Sequence, residues 1–313
     1  MSNRSYQRFR LPLQHVARSS VLALAAGVFG CSGTAGNASP GNSGGSLSVG
    51  GSSGGEAYAN GGSQGSQGGA SSATGGTNGT GGATSPVTVS CPGAAPAGIA
   101  TSWCSCDQWG QTTIGNTTYY NDIWGSGAGS QCIWLSADQT QWGVAANHPS
   151  GGNVKSYPNI SLSPGKAISA FNTYTSSFEI TVPSGGAWEV AYDIWVRNGS
   201  TEIEIMLWMN FTQGNVFPAS STTDPAVSSV TTGGHTWNVY YGGYGGHDVI
   251  SLLRTTNTTS ATVDIKDIFD WLITNKGTFD SSWTLYQVQF GPEIVSDGGV
   301  QSFVVNNYSV SSS

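Results

Sequence analysis

Three short runs of this chain set carboxylates beside tryptophans or amides at a spacing of two. In Glu202-Ile-Glu-Ile-Met-Leu-Trp-Met209 the odd positions, Ile203, Ile205, Leu207 and Met209, are all apolar. The even positions are Glu202, Glu204, Met206 and Trp208. In Trp188–Trp195 one set is Trp188, Val190, Tyr192 and Ile194; the other is Glu189, Ala191, Asp193 and Trp195. A third run sets Tyr286, Val288 and Phe290 against Gln287, Gln289, Gly291 and Glu293. Side chains alternate between the two faces of a strand. Each run, read as a strand, buries its aliphatic set and turns acids, amides and indoles the other way. Two carboxyl groups flanking one bond are what glycoside hydrolysis uses. Indole faces stack on the flat apolar faces of sugar rings, and amides hydrogen-bond hydroxyls. One acid on an outer face is ordinary solvated surface; three such faces together point to a carbohydrate site.

The elements that must hold these residues are short and β-rich. Alternation and β-branched or aromatic residues predict strands at 117–120, 177–182, 188–196, 202–210, 237–241, 249–253, 283–290 and 302–310, separated by Gly, Pro, Asn and Ser clusters. One helix is predicted over Asp264–Gly277, with Asp264 as cap and Ile265, Ile268, Phe269, Leu272 and Ile273 on one face. Many strands and one helix imply an all-β chain, a β-jelly-roll sandwich. His148, His235 and His247 are scattered without a nucleophilic Ser or Cys context and read as structural or surface groups. The Gly-rich Tyr241–Gly246 reads as a flexible loop beside a cleft.

Composition divides the chain. Residues 32–90 hold 19 glycines and one charged residue, Glu56, whereas all 11 tryptophans fall between Trp103 and Trp283. A segment so poor in apolar bulk cannot offset its ordering entropy, so 32–90 reads as a disordered tether. Residues 91–313 form the folded domain. They carry six Lys/Arg against 16 Asp/Glu, a net charge of −10. Nucleic-acid binding, which needs a basic stripe, is excluded. The leader is different: Arg4, Arg8, Arg10 and Arg18 precede the small apolar run 20–30, the pattern of an export signal too short to span a bilayer. Val28-Phe29-Gly30 before Cys31 resembles a bacterial lipobox, with residues 1–31 as a lipoprotein-type signal and Cys31 as the lipidated residue. Plain secretion after cleavage at 23–25 is the competing expectation. Setting Cys31 aside leaves four cysteines for an oxidising compartment. Four allow three pairings, and Cys106–Cys132 with Cys91–Cys104 is the favoured one. A metal site is disfavoured, since the C-x-C has no partners at ligand spacing.

The segments Cys106-Asp-Gln-Trp109, Asn121-Asp-Ile-Trp-Gly125, Val154-Lys-Ser-Tyr-Pro-Asn159, Ala191-Tyr-Asp-Ile-Trp195, Glu204-Ile-Met-Leu-Trp208, Trp237–Tyr241 and Phe290-Gly-Pro-Glu293 occur in order. Together with the lone helix and the closing Val305–Val310, this set resembles glycoside hydrolase family 12, the small jelly-roll endoglucanases and xyloglucanases, over residues 104–312. The resemblance implies a concave substrate cleft and retaining endo-β-1,4-glucanase activity on cellulose, mixed-linkage β-glucan or xyloglucan. It implies Glu204 as nucleophile, Glu293 as acid/base, and Asp193 as the group that orients Glu204. Trp109, Asn121, Trp124, Met206 and Trp208 would line the cleft. It implies no metal or cofactor, a monomer, and a polysaccharide as partner, with membrane contact only through a lipid anchor. Within the residues themselves Glu202 remains a rival nucleophile. Asp122 departs from the family, which more often has a second Asn there. The rival reading is a non-catalytic carbohydrate-binding jelly roll, which would need the tryptophans but not the Glu204/Glu293 pair.

Overall fold

The computed structural model describes residues 87–313 apart from 92, 152, 221 and 297. The leader, Cys31 and the spacer up to residue 86 lie outside the described residues. Among the described residues sixteen strands are formed: β1 Thr101–Ser105, β2 Gln111–Ile114, β3 Thr117–Tyr120, β4 Ser130–Ser136, β5 Trp142–Asn147, β6 Asn159–Leu162, β7 Lys166–Ala167, β8 Tyr174–Thr181, β9 Ala187–Asn198, β10 Thr201–Phe211, β11 Val227–Thr232, β12 His235–Tyr244, β13 His247–Arg254, β14 Ser260–Asp264, β15 Thr284–Ser296 and β16 Gln301–Ser312. They make two sheets. One runs β1-β4-β5-β16-β8-β14; the other runs β11-β12-β13-β10-β9-β15-β6-β3-β2, with β7 on β15. All pairings are antiparallel except β10 with β13, which the chain reaches by way of β11 and β12. This is the two-layer β-jelly roll expected.

The core lies between the sheets. Val190, Tyr192, Ile194, Ile203, Ile205, Leu207, Met209, Val288 and Phe290 meet Ile133, Leu135, Val144, Phe178, Ile180, Phe303 and Val305. The parity read from β9 and β10 therefore holds. In β15 it fails at one residue. A register shift between Leu285 and Gln287 buries Leu285 and turns Tyr286 outward, beneath the Arg197 guanidinium at 3.7 Å. A bulge inserts one residue and flips the alternation beyond it.

Strands β4 and β5 carry no alternation because they are buried on both faces. Their second face, Cys132, Trp134 and Ala145, is covered by Val89 and Ala94, so packing starts within the last residues of the glycine-rich stretch. Two disulfides tie this layer down, Cys91–Cys104 and Cys106–Cys132. Each is worth about 3 kcal/mol in the chain-entropy account.

Helix α1, Ile265–Asn275, starts where Asp264 accepts from the Asp267 amide at 3.1 Å. It buries Ile265, Ile268, Phe269 and Leu272. Asp267 in turn accepts from the Gly233 amide at 2.6 Å and the Thr232 hydroxyl at 2.9 Å, which fixes the helix to the β11–β12 turn. No helix of the described residues is long and apolar enough to cross a membrane.

Candidate active site

The outer face of the larger sheet collects the acids. Its register sets Glu204 opposite Trp195, Met206 opposite Asp193 and Trp208 opposite Ala191 on β9. On the other edge of β9, Gln287 faces Trp195, Gln289 faces Asp193, Gly291 faces Ala191 and Glu293 faces Glu189. Directly paired residues share a face. Glu189, Asp193, Glu204 and Glu293 therefore all rise from the face opposite the core.

Their charges are coupled. Burial pushes the Asp193 carboxyl well above the usual range, and the charges of Glu204 and Glu293 push it further. Asp193 also hydrogen-bonds Glu204. A protonated Asp193 is the donor in that bond, since an ionised carboxylate only accepts. Burial likewise raises Glu293 well above its ordinary value, with the neighbouring charges of Glu189 and Glu204 adding to it. Glu189 is buried, hydrogen-bonds Glu293, and is raised by burial to about 8. Two adjacent buried carboxyls cannot both ionise cheaply, so this pair keeps a proton at neutral pH. Glu204 has a different surrounding: its Oε2 lies 2.6 Å from Nε2 of His247. Across the face, Glu293 thus shares a retained proton with Glu189, while Glu204 is held by donors, an arrangement that could serve retaining hydrolysis.

Glu202 shares the face but not the site. It is paired with Arg197, whose Nε donates to its Oε1 at 2.6 Å, and both side chains are about one-third exposed, at 33% and 38%. This ion pair commits the Glu202 carboxylate to Arg197.

The floor beside Glu293 is built from the 154–159 segment. The Lys155 amide donates to the Ile294 carbonyl at 2.7 Å, and the Ile294 amide donates to the Ser156 carbonyl at 2.9 Å. A side chain at Gly291 would meet the Pro158 carbonyl at 2.0 Å, so glycine is required for this approach. Tyr157 lies buried here, its hydroxyl donating to the Ala191 carbonyl at 3.1 Å. The charges of Asp193, Glu293 and Glu204 all act on that hydroxyl, after burial itself, to raise it. Strand parity says nothing of Tyr157, because it sits on a loop; in the sequence it is marked only by the Val154–Asn159 segment that resembles the family.

The segment is braced by a buried polar network. The Ser156 hydroxyl donates to Gln131 Oε1 at 2.6 Å, and His148 Nε2 approaches the same oxygen at 2.9 Å. The Gly129 amide donates to His148 Nδ1 at 3.0 Å, which fixes Nδ1 as acceptor. Burial, aided by the charge of Lys155, lowers His148 from 6.5 to about 4. Folding therefore favours the neutral imidazole. Its contribution is complete above pH 6.5 and is lost as pH falls from 6.5 through about 4. The loss is on the order of 3 kcal/mol. Buried carboxyls with raised values slope the opposite way. The check is therefore the difference between the protein and His148→Gln in urea unfolding at pH 7 and pH 4.5. The variant is expected to lose markedly less stability on acidification; equal losses would remove His148 as the cause.

The proposed cleft residues divide on inspection. Trp109 is 62% exposed and Trp124 37%. Gln108 Nε2 donates to the Ile123 carbonyl at 2.6 Å, and the Trp124 amide donates to the Lys155 carbonyl at 3.1 Å. Both tryptophans are therefore carried by loops tied to the floor beside Glu293. Asn121, expected to line the cleft, lies in the interior. It is fully buried, its amide donates to the Asp107 carbonyl at 2.9 Å, and its side-chain oxygen accepts from Gln131 at 3.0 Å. It braces the loop that carries Trp124 and offers no surface to a sugar. Trp208, also expected to line the cleft, is only 2% exposed. It packs with Met206, Val216, Val249 and Leu253 under the 212–226 loop. That loop sits so close that a side chain at Gly242 would meet the Ala219 carbonyl at 1.9 Å.

Residues 116–312 match the family model described as glycosyl hydrolase family 12. The chain belongs to that family. This glycosyl hydrolase family 12 chain is 35% identical over 228 residues to a probable xyloglucan-specific endo-beta-1,4-glucanase A of Aspergillus terreus, covering 66% of this chain and 86% of the relative. It is 33% identical to the xyloglucan-specific endo-beta-1,4-glucanase A of Emericella nidulans, over 66% of this chain and 90% of that protein. Among solved structures it is similar to the xyloglucanase domain of NopAA, a type three effector from Sinorhizobium fredii in complex with cellobiose. The identity is 43% and the TM-score 0.64, with 68% of this chain and 100% of that chain covered. A family 12 xyloglucanase from Bacillus licheniformis follows at 27% identity and TM-score 0.60, over 67% of this chain and all of that one. The protein is a glycoside hydrolase.

Proposed function

We propose that this family 12 member is a retaining endo-β-1,4-glucanase that cuts internal bonds of xyloglucan and related β-1,4-glucans. Glu204 attacks the anomeric carbon while Glu293 protonates the leaving oxygen. Glu293 then takes a proton from water as the water displaces Glu204. Asp193 orients Glu204 through their hydrogen bond. The observation that carries this reading is the unequal surroundings of the two carboxyls: Glu293 is buried opposite Glu189, which raises it further, whereas Glu204 lies 2.6 Å from His247 Nε2. The xyloglucan-specific activities named for the relatives support xyloglucan as first choice among the glucans. Reducing-sugar release from xyloglucan, mixed-linkage β-glucan and carboxymethyl-cellulose, run in parallel, tests it. Activity is expected on all three and highest on xyloglucan. Binding without release on every one would favour a carbohydrate-binding module.

Glu189 gives a second test. Its charge and its hydrogen bond both raise Glu293. Glu189→Gln removes the charge, so the alkaline limb of the pH profile of kcat/KM should move to lower pH. An unmoved limb would mean that Glu293 does not set it.

Residues 1–31 acting as an export signal, Cys31 as a lipid attachment point, 32–90 as a tether and 91–313 as a monomeric catalytic domain complete the proposal. The basic, acid-free leader and the residues before Cys31 support it. Such a chain works outside the cytoplasm, on the outer membrane or secreted.

A further inference from the structure

His247 stands at the start of β13, directly after a two-residue turn. Gly245 and Gly246 adopt φ of 60° and 95°, and Tyr244 pairs with His247 across them. Two left-handed residues in succession suit the twist of a hairpin, and glycine takes them without strain. The Tyr241–Gly246 run, expected as a flexible loop, is thus the end of β12 and a tight turn. The parallel register of β13 on β10 sets Asp248 beside Ile203 and Val249 beside Glu204. Alternation then puts His247 on the same face as Val249 and Glu204, two residues before Val249 and so on the Glu202 side of Glu204. From β9, on the opposite side of β10, Trp195 is paired directly with Glu204. The two rings, rooted on strands that flank β10, come together with centroids 4.8 Å apart. The carboxylate of Glu204 lies among them, with His247 Nε2 at 2.6 Å from its Oε2. Both side chains are nearly covered, at 12% and 13% exposure. With Glu204 acting as the nucleophile, and so as a carboxylate, the hydrogen of this contact belongs to Nε2, which donates.

We propose that His247 is a positioning residue for the nucleophile, one that holds Glu204 through Nε2–H and favours its departure from the sugar. The inference rests on Glu204 as nucleophile. In the first half-reaction a Glu204 oxygen bonds the anomeric carbon as the glycosidic C–O bond breaks, and the departing oxygen takes the Glu293 proton. The carboxylate becomes an ester and its charge is lost. In the second half-reaction water bonds the same carbon, its proton goes to Glu293, and the ester C–O bond breaks to regenerate the carboxylate. A donor hydrogen bond is stronger to the charged carboxylate than to the ester. His247 therefore helps Glu204 leave, and acts on the second half-reaction more than on the first. Trp195 keeps the imidazole in place for this, and Asp193 supplies the second donor from β9.

The test compares His247→Phe with His247→Gln on an aryl β-cellobioside whose leaving group needs no proton. With that substrate breakdown of the glycosyl-enzyme limits turnover. Phe retains a ring against Trp195 but has no donor; Gln carries an N–H at a similar reach. Steady-state kcat of His247→Phe should fall about 10- to 100-fold, the scale of a hydrogen bond to a charged group. A pre-steady-state burst of aryl alcohol should persist, KM should fall with kcat, and glycosyl-enzyme should accumulate on intact-mass analysis. His247→Gln should recover most of the rate. Equal loss in both variants, an unchanged rate in His247→Phe, or a slow variant with no accumulated glycosyl-enzyme would each overturn the proposal. Full activity of Glu204→Gln would instead remove the reading on which it rests, so the two failures are distinguishable.

Discussion

Glu204→Gln is expected to leave essentially no hydrolysis, with a loss of at least about four powers of ten in kcat/KM, the scale found when a covalent nucleophile is removed. The amide keeps the size of the side chain, and it accepts hydrogen bonds through one oxygen. It cannot form the glycosyl ester. Ground-state binding should survive, so the variant should still retain xyloglucan in a pull-down or calorimetric titration. The control is its strand-mate Glu202. That residue belongs to the same alternating set and was a rival from sequence alone. In the fold its carboxylate is paired with Arg197, while Glu204 has Asp193 and His247. Glu202→Gln should therefore cost about tenfold at most, through the freed Arg197 and its stacking on Tyr286. If Glu202→Gln abolishes hydrolysis and Glu204→Gln keeps most of it, the assignment is reversed. If neither matters, the catalytic reading of this face fails.

What the sequence disclosed, and what it withheld, follows from the range of the forces involved. Period-two alternation reports burial on one face. It identified the β9 and β10 cores and put Glu204, Asp193 and Glu293 away from the core. It could not see β4 and β5, because strands buried on both faces carry no alternation. A single bulge moved Tyr286 from the predicted core face to the surface. Contacts between distant strands were beyond it. His247 read as a scattered histidine, since nothing local says that a parallel β13 sets it over Glu204. Asn121 was expected in the cleft through the family resemblance alone, yet its partners are Gln131 and the Asp107 carbonyl. Glu189 was visible on the right face, but its role depends on standing opposite Glu293, a register 104 positions away in sequence.

Glu293→Ala should separate the two half-reactions. Glu293 is needed to protonate the departing oxygen and then to take a proton from water. A polysaccharide leaves as a poor leaving group, so hydrolysis of xyloglucan should fall by about 10²–10⁴, the range of general acid–base catalysis. An aryl β-cellobioside whose phenolate departs without a proton should react almost as fast as before in the first step, and then stall. A burst equal to the enzyme concentration followed by slow turnover is the expected trace. Added azide, a nucleophile that needs no base, should restore turnover and yield a β-glycosyl azide. The configuration carries the mechanism: two displacements, the first by Glu204, return the β-anomer. The same argument fixes the pH behaviour. The Glu293 carboxyl stands well above its ordinary value, first through burial and then through Glu189 and Glu204. The unsubstituted protein should therefore lose kcat/KM as pH rises through that raised value, and Glu293→Ala should lose this alkaline limb on the activated substrate. An α-configured azide product, or a variant as active on xyloglucan as the parent, would exclude Glu293 as the acid/base. A burst with a β-azide would leave Glu204 as the group that holds the sugar between the two steps.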